Sequence, residues 1–405
     1  MKTAIALTAL PLALLLTACG EEPGSNQQFY GAQPDLPEPE RGILPSMTIA
    51  EPTPWGDQRP TVPEGFSVSA IATDLKIPRQ TLVLPNGDIL VAEGRGGNAA
   101  KLKPKDVIAG VIKARGNTTV ESGNRLTLLR DADGDGSYEL QTVFADDLNA
   151  PYGLALHEGN LYVANQDELV RFDYEEGQTE ASGPPSKVAD LPSEINHHWT
   201  KALTISEDGR YLYVGIGSNS NATGLRNPTA LAIQPGTGTL WAVVNERDEL
   251  GEDLVPDYLT SVQEGGFYGW PYSYFGQHVD PRVKPQDDEK VASAIVPDYA
   301  LGAHVAALGL DFSSEVMGEQ YADGVFVGEH GSWNRKNPVG YKVIFVPFEN
   351  GRPAGDPIDF VTGFRTEDGK TRGRPVGVTV DPSGALIVAD DLANTVWRVV
   401  REGSE

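Results

Sequence analysis

The chain has only one cysteine, Cys19, among its 405 residues. A single cysteine cannot form an internal disulfide, and it cannot supply a cysteine-ligated zinc or iron–sulfur site. Positive charge is also scarce, because 32 Lys and Arg stand against 57 Asp and Glu, for a formal net charge of −25. Nucleic acid and anionic lipid surfaces are therefore poor partners for this protein.

Helical periodicity is nearly absent. Only residues 104–114 have a helix-like pattern, and we interpret them as a loop decoration. Glycine and proline are abundant instead, with 45 and 30 copies. This composition is typical of a protein built from many short strands and turns.

The N-terminus resembles a bacterial lipoprotein signal. A positive charge at Lys2 precedes an apolar run, and the stretch ends in Leu-Thr-Ala-Cys at Cys19. We therefore expect residues 1–18 to be a signal peptide, Cys19 to be acylated, and Gly20 to direct the protein to the periplasmic face of the outer membrane. The alternative is an ordinary signal peptide with an incidental cysteine.

Residues 19–62 are rich in Pro, Glu, Gly and Gln and show no apolar periodicity. This composition predicts a flexible linker between the acylated N-terminus and the folded part. We place the folded domain at residues 63–402.

A degenerate repeat occurs six times in that domain. Each copy has a glycine followed by an apolar stretch, which ends at Val91, Val163, Val214, Ala242, Val327 and Val388. A partner strand precedes each stretch, and these partners open at Leu82, Leu154, Leu203, Leu231, Leu308 and Val378. Six such hairpins predict an all-β, six-bladed β-propeller, with a β-sandwich or β-helix as the alternative.

Cationic and imidazole side chains recur just before the predicted inner strands. Arg79, Arg226 and Arg374 occupy this place in three repeats, and His198 and His304 in two others. Because inner strands begin around one mouth of a propeller channel, these groups should converge there. Such a funnel in an acidic protein indicates a small anionic ligand, although any single residue could simply close a blade by hydrogen bonding.

Six motifs spread over residues 63–402 carry a resemblance to a known family. They are His198-Trp-Thr-Lys201, Gly224-Leu-Arg-Asn-Pro228, Asn245-Glu-Arg-Asp-Glu-Leu-Gly251, Tyr268-Gly-Trp-Pro271, Glu329-His-Gly-Ser-Trp-Asn-Arg335 and Gly373-Arg-Pro-Val376. The chain resembles the glucose/sorbosone dehydrogenase family of pyrroloquinoline quinone (PQQ) enzymes, in particular its L-sorbosone dehydrogenase branch.

The resemblance implies a propeller that holds PQQ and Ca²⁺ at the top of its channel and oxidises a sugar or sugar aldehyde. It implies that His198 is the general base, with His197 as a rival, and that Arg226 and Asn227 contact the quinone. The remaining PQQ contacts that it suggests are Arg79, Lys201, His330, Arg335 and Arg374. The Ca²⁺ ligands that it suggests are Asn245, Glu246, Asp248 and Asp253.

A second Ca²⁺ site is a separate candidate. Asp131, Asp133 and Asp135 have the oxygen spacing of an EF-hand loop, but Thr142 replaces the bidentate glutamate at position 12. A plain Asp-Gly hairpin turn is the alternative.

Two other functions remain open from the sequence. One is a Ca²⁺-dependent lactonase or esterase propeller, although few arginines are expected in such a site. The other is a non-catalytic propeller that binds an anionic ligand or a partner protein. A dehydrogenase also needs an electron acceptor, either a quinone or a cytochrome, which the sequence does not identify.

Overall fold

The computed structural model of the chain describes residues 29–40, 47–48, 51–97, 119–194, 196–218 and 224–403. Within these ranges, no helix is long and apolar enough to cross a membrane. The signal peptide, Cys19 and the helix-like segment 104–114 lie outside the described residues.

The regular secondary structure of the described residues is almost entirely β, in 26 short strands. The first thirteen strands are β1 (Tyr30–Gly31), β2 (Phe66–Ala72), β3 (Pro78–Val83), β4 (Ile89–Glu93), β5 (Arg125–Arg130), β6 (Leu140–Ala145), β7 (Gly153–His157), β8 (Asn160–Ala164), β9 (Glu168–Asp173), β10 (Ser186–Asp190), β11 (Lys201–Ile205), β12 (Leu212–Ile216) and β13 (Pro228–Ile233). The others are β14 (Leu240–Val244), β15 (Pro256–Ser261), β16 (Ser273–Tyr274), β17 (His278–Val279), β18 (Tyr299–Ala303), β19 (Ala307–Phe312), β20 (Gly324–Glu329), β21 (Lys342–Glu349), β22 (Arg352–Pro353), β23 (Ile358–Val361), β24 (Pro375–Val380), β25 (Leu386–Asp390) and β26 (Thr395–Arg401). The helical elements are α1 (Asp288–Ala292) and two 3₁₀ turns, Glu315–Met317 and Glu319–Tyr321.

The sheets are arranged as the blades of a propeller. Five antiparallel sheets contain four or five strands each: β3–β6, β7–β10, β13–β15 with β18 and β1, β19–β22 with β23, and β24–β26 with β2. Strands β3, β7, β11, β13, β19 and β24 pack side by side in a closed ring. Side chains of these six strands line a central channel, which contains a cavity of about 290 Å³.

The six predicted hairpins are confirmed, but the prediction of six blades is wrong. Five blades are complete, whereas β11 and β12 form only a two-stranded sheet between the blades that begin with β7 and β13. The reason is chain length, because Ala242 of the next repeat follows Val214 by only 28 residues. That interval contains the next inner strand and leaves no room for two outer ones.

The propeller is closed by strands from both ends of the domain. Strand β2 pairs with β26 as the outer strand of the last blade, so N-terminal and C-terminal segments share one sheet.

The apolar core lies between adjacent blades. Trp241 and Leu259 of one blade, for example, share a buried cluster with Val325 and Phe348 of the next.

The sequence predicts that residues 19–62 are a flexible linker. In the structure, the described residues between 29 and 62 instead form a strap that packs against the propeller. Strand β1 adds to the edge of β18, and an added Cβ on Gly302 would lie 3.2 Å from the Tyr30 ring. The Trp55 ring packs edge-on against Phe364 and Trp397, with centroids 5.5 and 5.2 Å apart. The folded unit therefore begins before residue 63, since a few aromatic side chains bury apolar surface within a segment of otherwise polar composition.

Candidate functional site

A cavity of about 510 Å³ opens where the inner strands β11, β13 and β19 begin. The structure brings six sequence-predicted residues together on its walls: His198, Arg226, Asn227, Asn245, Glu246 and Asp248. They come from the segments just before β11 and β13 and just after β14. For His198, Arg226 and Asn227, the residues of this group that precede inner strands, the structure shows the expected convergence at one mouth of the channel.

His198 is held as a neutral imidazole with a defined tautomer. Its Nδ1 lies 2.8 Å from the backbone oxygen of Ser218. Because a carbonyl oxygen can only accept, Nδ1 carries the hydrogen and Nε2 keeps its lone pair. Burial, and then the positive charge of Arg226, lower the pKa of His198 from 6.5 to about 4. The ring is therefore an unprotonated base at neutral pH.

The rival base has a different environment. His197 is exposed at the rim of the same cavity, whereas its neighbour His198 is partly buried. Adjacent residues of an extended segment point to opposite faces, which agrees with this difference in exposure.

Arg226 is fixed in the cavity by three contacts. Its guanidinium donates to the Asn245 backbone oxygen and to Asp248 Oδ2, each at 3.1 Å, and lies 5.5 Å from the Trp270 ring centroid. Asp248 Oδ1 in turn accepts a hydrogen bond of 2.8 Å from the Asn334 side chain. This network presents one fixed positive charge beside His198.

The cavity also contains buried side-chain oxygens that accept no hydrogen bond in the described part of the chain. Among the described residues, Asn227 Oδ1, Asn245 Oδ1, Glu246 Oε1 and Asn334 Oδ1 have no hydrogen-bond partner. Burial raises the pKa of Glu246 to about 8 and that of Asp257, which also lines the cavity, to about 6. Unpaired carboxylate and amide oxygens in a buried site are the environment that a hard cation such as Ca²⁺ requires.

A second group of predicted residues forms a cluster around Asp391. Asp391 forms a salt bridge with Arg79 and lies 2.9 Å from His330 Nε2. Burial alone would raise the pKa of Asp391, but His330, Arg79 and Arg374 outweigh it and hold that pKa at about 2. The buried Nε atoms of Arg79 and Arg374 find no acceptor in the described part of the chain. The cluster can therefore accept further negative charge.

The other predicted residues lie outside the cavity lining. Lys201 is fully buried, and its ammonium group donates to the Trp199 backbone oxygen at 3.2 Å. Arg335 binds Asp253 at 2.6 Å and the Glu252 backbone oxygen at 2.7 Å. Arg335 and Asp253 thus pair with each other and are not brought to the cavity with Asn245 and Glu246.

Sequence reasoning missed several residues that line the cavity. Trp270, Trp333 and Asn334 lie there, and each stands within one of the family motifs. His304 was noted before its inner strand but was not assigned a role. Asp257 belongs to a strand, so its position in the sequence offered no signal.

The acidic turn is assembled as the EF-hand-like spacing predicts, with one additional ligand candidate. Carboxylate oxygens of Asp131, Asp133, Asp135 and Glu139 all lie within 4.8 Å of one another. Asp131 Oδ1 also accepts a 2.7 Å hydrogen bond from the Gly134 backbone. Glu139, and not the residue at position 12, completes the group, and Ca²⁺ binding at this turn stays a prediction.

The environment of His198 can be tested in the protein without added cofactor. We expect its ring to titrate near pH 4 by ¹⁵N NMR, and Arg226→Met to raise that midpoint because it removes a nearby positive charge. Arg210→Met, at the opposite end of β12, is the control and should leave the midpoint unchanged. A wild-type midpoint near the ordinary value of 6.5 would contradict the described burial.

The β-propeller architecture is shared with known proteins. A family model described as TrAA12-like matches residues 60–223 and 269–402. These segments make up more than half of the chain, which therefore belongs to the TrAA12-like family. The family-level resemblance drawn from the motifs is confirmed.

Solved structures support the same fold. The calcium structure of a Trichoderma reesei carbohydrate-active enzyme of family AA12 has a TM-score of 0.68 at 19% identity, covering 88% of this chain and 99% of that one. The holo form of the pyranose dehydrogenase PQQ domain from Coprinopsis cinerea has a TM-score of 0.67 at 18% identity, covering 89% of this chain and 100% of that one.

Among protein sequences, an uncharacterized protein of Borreliella burgdorferi is 26% identical over 294 residues, covering 64% of this chain and 77% of the relative.

The interval between the two family-matched segments contains much of the cavity. Arg226, Asn227, Asn245, Glu246 and Asp248 all lie within residues 224–268, which the family model does not match. The roles of these residues therefore depend on the geometry of the cavity in this chain.

Proposed function

We propose that this protein is a PQQ- and Ca²⁺-dependent dehydrogenase that oxidises a sugar or a sugar aldehyde of the sorbosone type. The observation that carries the proposal is the neutral, tautomerically fixed His198 beside Arg226 in one cavity with unpaired buried oxygens. Structures with the same fold include a calcium structure and a holo PQQ domain of sugar enzymes, which supports the choice of cofactors.

The donor set of the cavity fits Ca²⁺. Asn245 Oδ1 and Glu246 Oε1 have no other partners among the described residues, and Asp248 adds a carboxylate whose oxygens already accept from Arg226 and Asn334. Ca²⁺ prefers such carboxylate and amide oxygens. Its charge would also offset the cost of burying Glu246, whose pKa is raised by that burial. Asp253 is a less suitable ligand because it pairs with Arg335 outside the cavity lining.

The cationic groups fit a ligand with several carboxylates. The buried Nε atoms of Arg79, Arg226 and Arg374 all find no acceptor among the described residues. PQQ carries three carboxylates, and guanidinium groups pair well with them. Bound PQQ would supply a two-electron acceptor and Ca²⁺ a Lewis acid that polarises it.

The chain's own contribution to the reaction is proton removal and orientation. Nε2 of His198 carries the free lone pair, so this atom accepts the proton of the substrate hydroxyl. The nearby Asp248 favours the imidazolium that forms, whereas burial and then Arg226 oppose it and keep the resting ring neutral. Arg226 is itself fixed by Asn245, Asp248 and Trp270, which orients its guanidinium before substrate arrives.

Metal removal tests the cofactor assignment. We expect exhaustive chelation with EDTA to abolish dye-linked sugar oxidation, and Ca²⁺ with PQQ to restore it. Glu246→Gln should raise the Ca²⁺ concentration needed for half-maximal restoration, because it removes a charged oxygen from the cavity. Asp131→Asn, in the separate acidic turn, is the matched control and should not change that concentration.

The same assay separates the alternatives. Oxidation that survives chelation, or that occurs without PQQ, would reject the proposal. Ca²⁺-dependent hydrolysis of lactones without dye reduction would instead identify a lactonase. Binding of PQQ without turnover of any aldose or aldehyde would favour a non-catalytic propeller.

We also propose that the protein is anchored by a lipid on Cys19 at the periplasmic face of the outer membrane, and that a quinone or a cytochrome accepts its electrons. Cys19→Ser should move the protein from the membrane pellet to the soluble fraction with its activity intact, since the proposed site lies wholly within the propeller. Ser25→Ala, in the same segment, is the control. Unchanged membrane association of the Cys19 variant would rule out the anchor.

A further inference from the structure

Ser218, which follows β12, contacts both His198 and Arg226, the two residues proposed to act together in the cavity. Its backbone oxygen accepts the 2.8 Å hydrogen bond from His198 Nδ1. Its backbone N–H donates to the Arg226 backbone oxygen at 2.6 Å. Its hydroxyl oxygen accepts a hydrogen bond of 2.5 Å from Trp270 Nε1. The position of Ser218 therefore sets the orientation of the His198 ring.

Trp270 holds Ser218 from across the cavity. Besides the indole N–H bond to Ser218, its backbone forms two hydrogen bonds with Gly224, of 3.0 and 3.2 Å. Its ring lies 5.5 Å from the guanidinium of Arg226 and 5.9 Å from that of Arg247. Trp270 thus forms hydrogen bonds with both Ser218, which follows β12, and Gly224, which precedes Arg226.

We propose that Trp270 is a positioning residue, whose hydrogen bond to the Ser218 hydroxyl holds the Ser218 backbone in place, so that the Ser218 carbonyl keeps the hydrogen of His198 on Nδ1 and its lone pair on Nε2. The catalytic consequence rests on the proposed function, but the tautomer does not. The tautomer of a neutral imidazole is set by the hydrogen bond that one of its nitrogens makes. If the carbonyl moves, the hydrogen exchanges between the two nitrogens, and the base is available only part of the time.

Trp270→Phe tests the role of the N–H bond, because it keeps an aromatic ring and the backbone bridge to Gly224. In protein labelled with ¹⁵N-histidine and without cofactor, we expect the wild-type His198 ring to show one protonated and one unprotonated nitrogen. The variant should show nitrogen shifts averaged between two tautomers, with His198→Gln used to assign the signals. In the PQQ-loaded enzyme, kcat should fall about tenfold, the factor that one hydrogen bond contributes. The PQQ concentration for half-maximal activity should stay unchanged.

Ser218→Ala provides a second route to the same result. It removes the acceptor of the indole bond and should produce the same mixture of tautomers, while the double variant should show no further change. Trp55→Phe is the matched control. It removes an indole N–H that donates to Asp390 at 3.4 Å, outside the cavity, and should leave the His198 tautomer and kcat as in the wild type.

A single tautomer that persists in both Trp270→Phe and Ser218→Ala would overturn the proposal. So would a loss of kcat with an unchanged tautomer, because Trp270 would then act only as a wall of the cavity. If Trp270→Phe does not fold, Ser218→Ala decides alone. A tautomer that changes in a protein that oxidises no sugar would support the positioning role and reject the proposed function.

Discussion

Replacement of His198 by alanine should lower kcat by about 10²–10⁴-fold, the usual contribution of a general base, while PQQ still binds. The expected size follows from the described state of the ring, which is neutral and has its Nε2 lone pair available in the cavity. A stopped-flow measurement of substrate oxidation in loaded enzyme, with PQQ occupancy determined separately, would show whether only the chemical step is slowed.

His197→Ala is the matched control for this prediction. His197 is exposed at the cavity rim, so its loss should cost no more than about tenfold, through packing or orientation. Reversed effects of the two substitutions would make His197 the base. If neither substitution slows turnover, the dehydrogenase loses its proposed mechanism.

Arg374→Ala should raise the PQQ concentration needed for half-maximal activity by about 30- to 1000-fold. Loss of a charge-assisted pair in a partly desolvated site costs about 2–4 kcal/mol, which corresponds to that factor. The guanidinium lies 5.6 Å from the Tyr341 ring centroid, and its buried Nε finds no acceptor among the described residues. A carboxylate of the ligand would supply that acceptor.

Arg372→Ala controls for the loss of a positive charge in the same segment. Arg372 lies 5.8 Å from the Trp55 ring, in contact with the strap rather than with the cluster around Asp391. Its removal should leave the PQQ titration unchanged. If Arg374→Ala also leaves it unchanged, then Arg374 serves only the packing of its blade.

The hairpins could be predicted because each one is encoded locally. A glycine turn followed by an apolar strand specifies two paired strands wherever it occurs, and Val163 and Val388 lie in β8 and β25 as expected. The number of complete blades depends instead on the length of chain between one hairpin and the next. Between Val214 and the next inner strand the chain is too short to form two outer strands for that blade. The repeat pattern alone did not reveal this consequence of the spacing.

The strap shows a limit of composition. Residues rich in Pro and Glu are typical of a linker, but Tyr30 and Trp55 find apolar surfaces that only the assembled blades create. The cavity shows a similar limit. His198 and Arg226 could be found because they precede inner strands, whereas Ser218 and Trp270 act through contacts between segments distant in sequence.

The pairing of Arg335 with Asp253 has the same cause. The resemblance to the family assigned the two residues to different ligands, Arg335 to PQQ and Asp253 to Ca²⁺. In the folded chain the two side chains are 2.6 Å apart and satisfy each other. A motif gives the identity of a residue, but the neighbours that compete for its charge are known only from the fold.

The central claim is that this cavity transfers electrons from a sugar to PQQ, and a single-turnover experiment tests it most directly. Protein loaded with PQQ and Ca²⁺ is mixed anaerobically with an excess of each of a panel of aldoses and sugar aldehydes, and the absorbance of the bound quinone is followed. We expect at least one substrate to reduce the bound quinone stoichiometrically, and His198→Ala to slow this step by about 10²–10⁴-fold. A quinone that stays bound and oxidised with every member of the panel would contradict the claim.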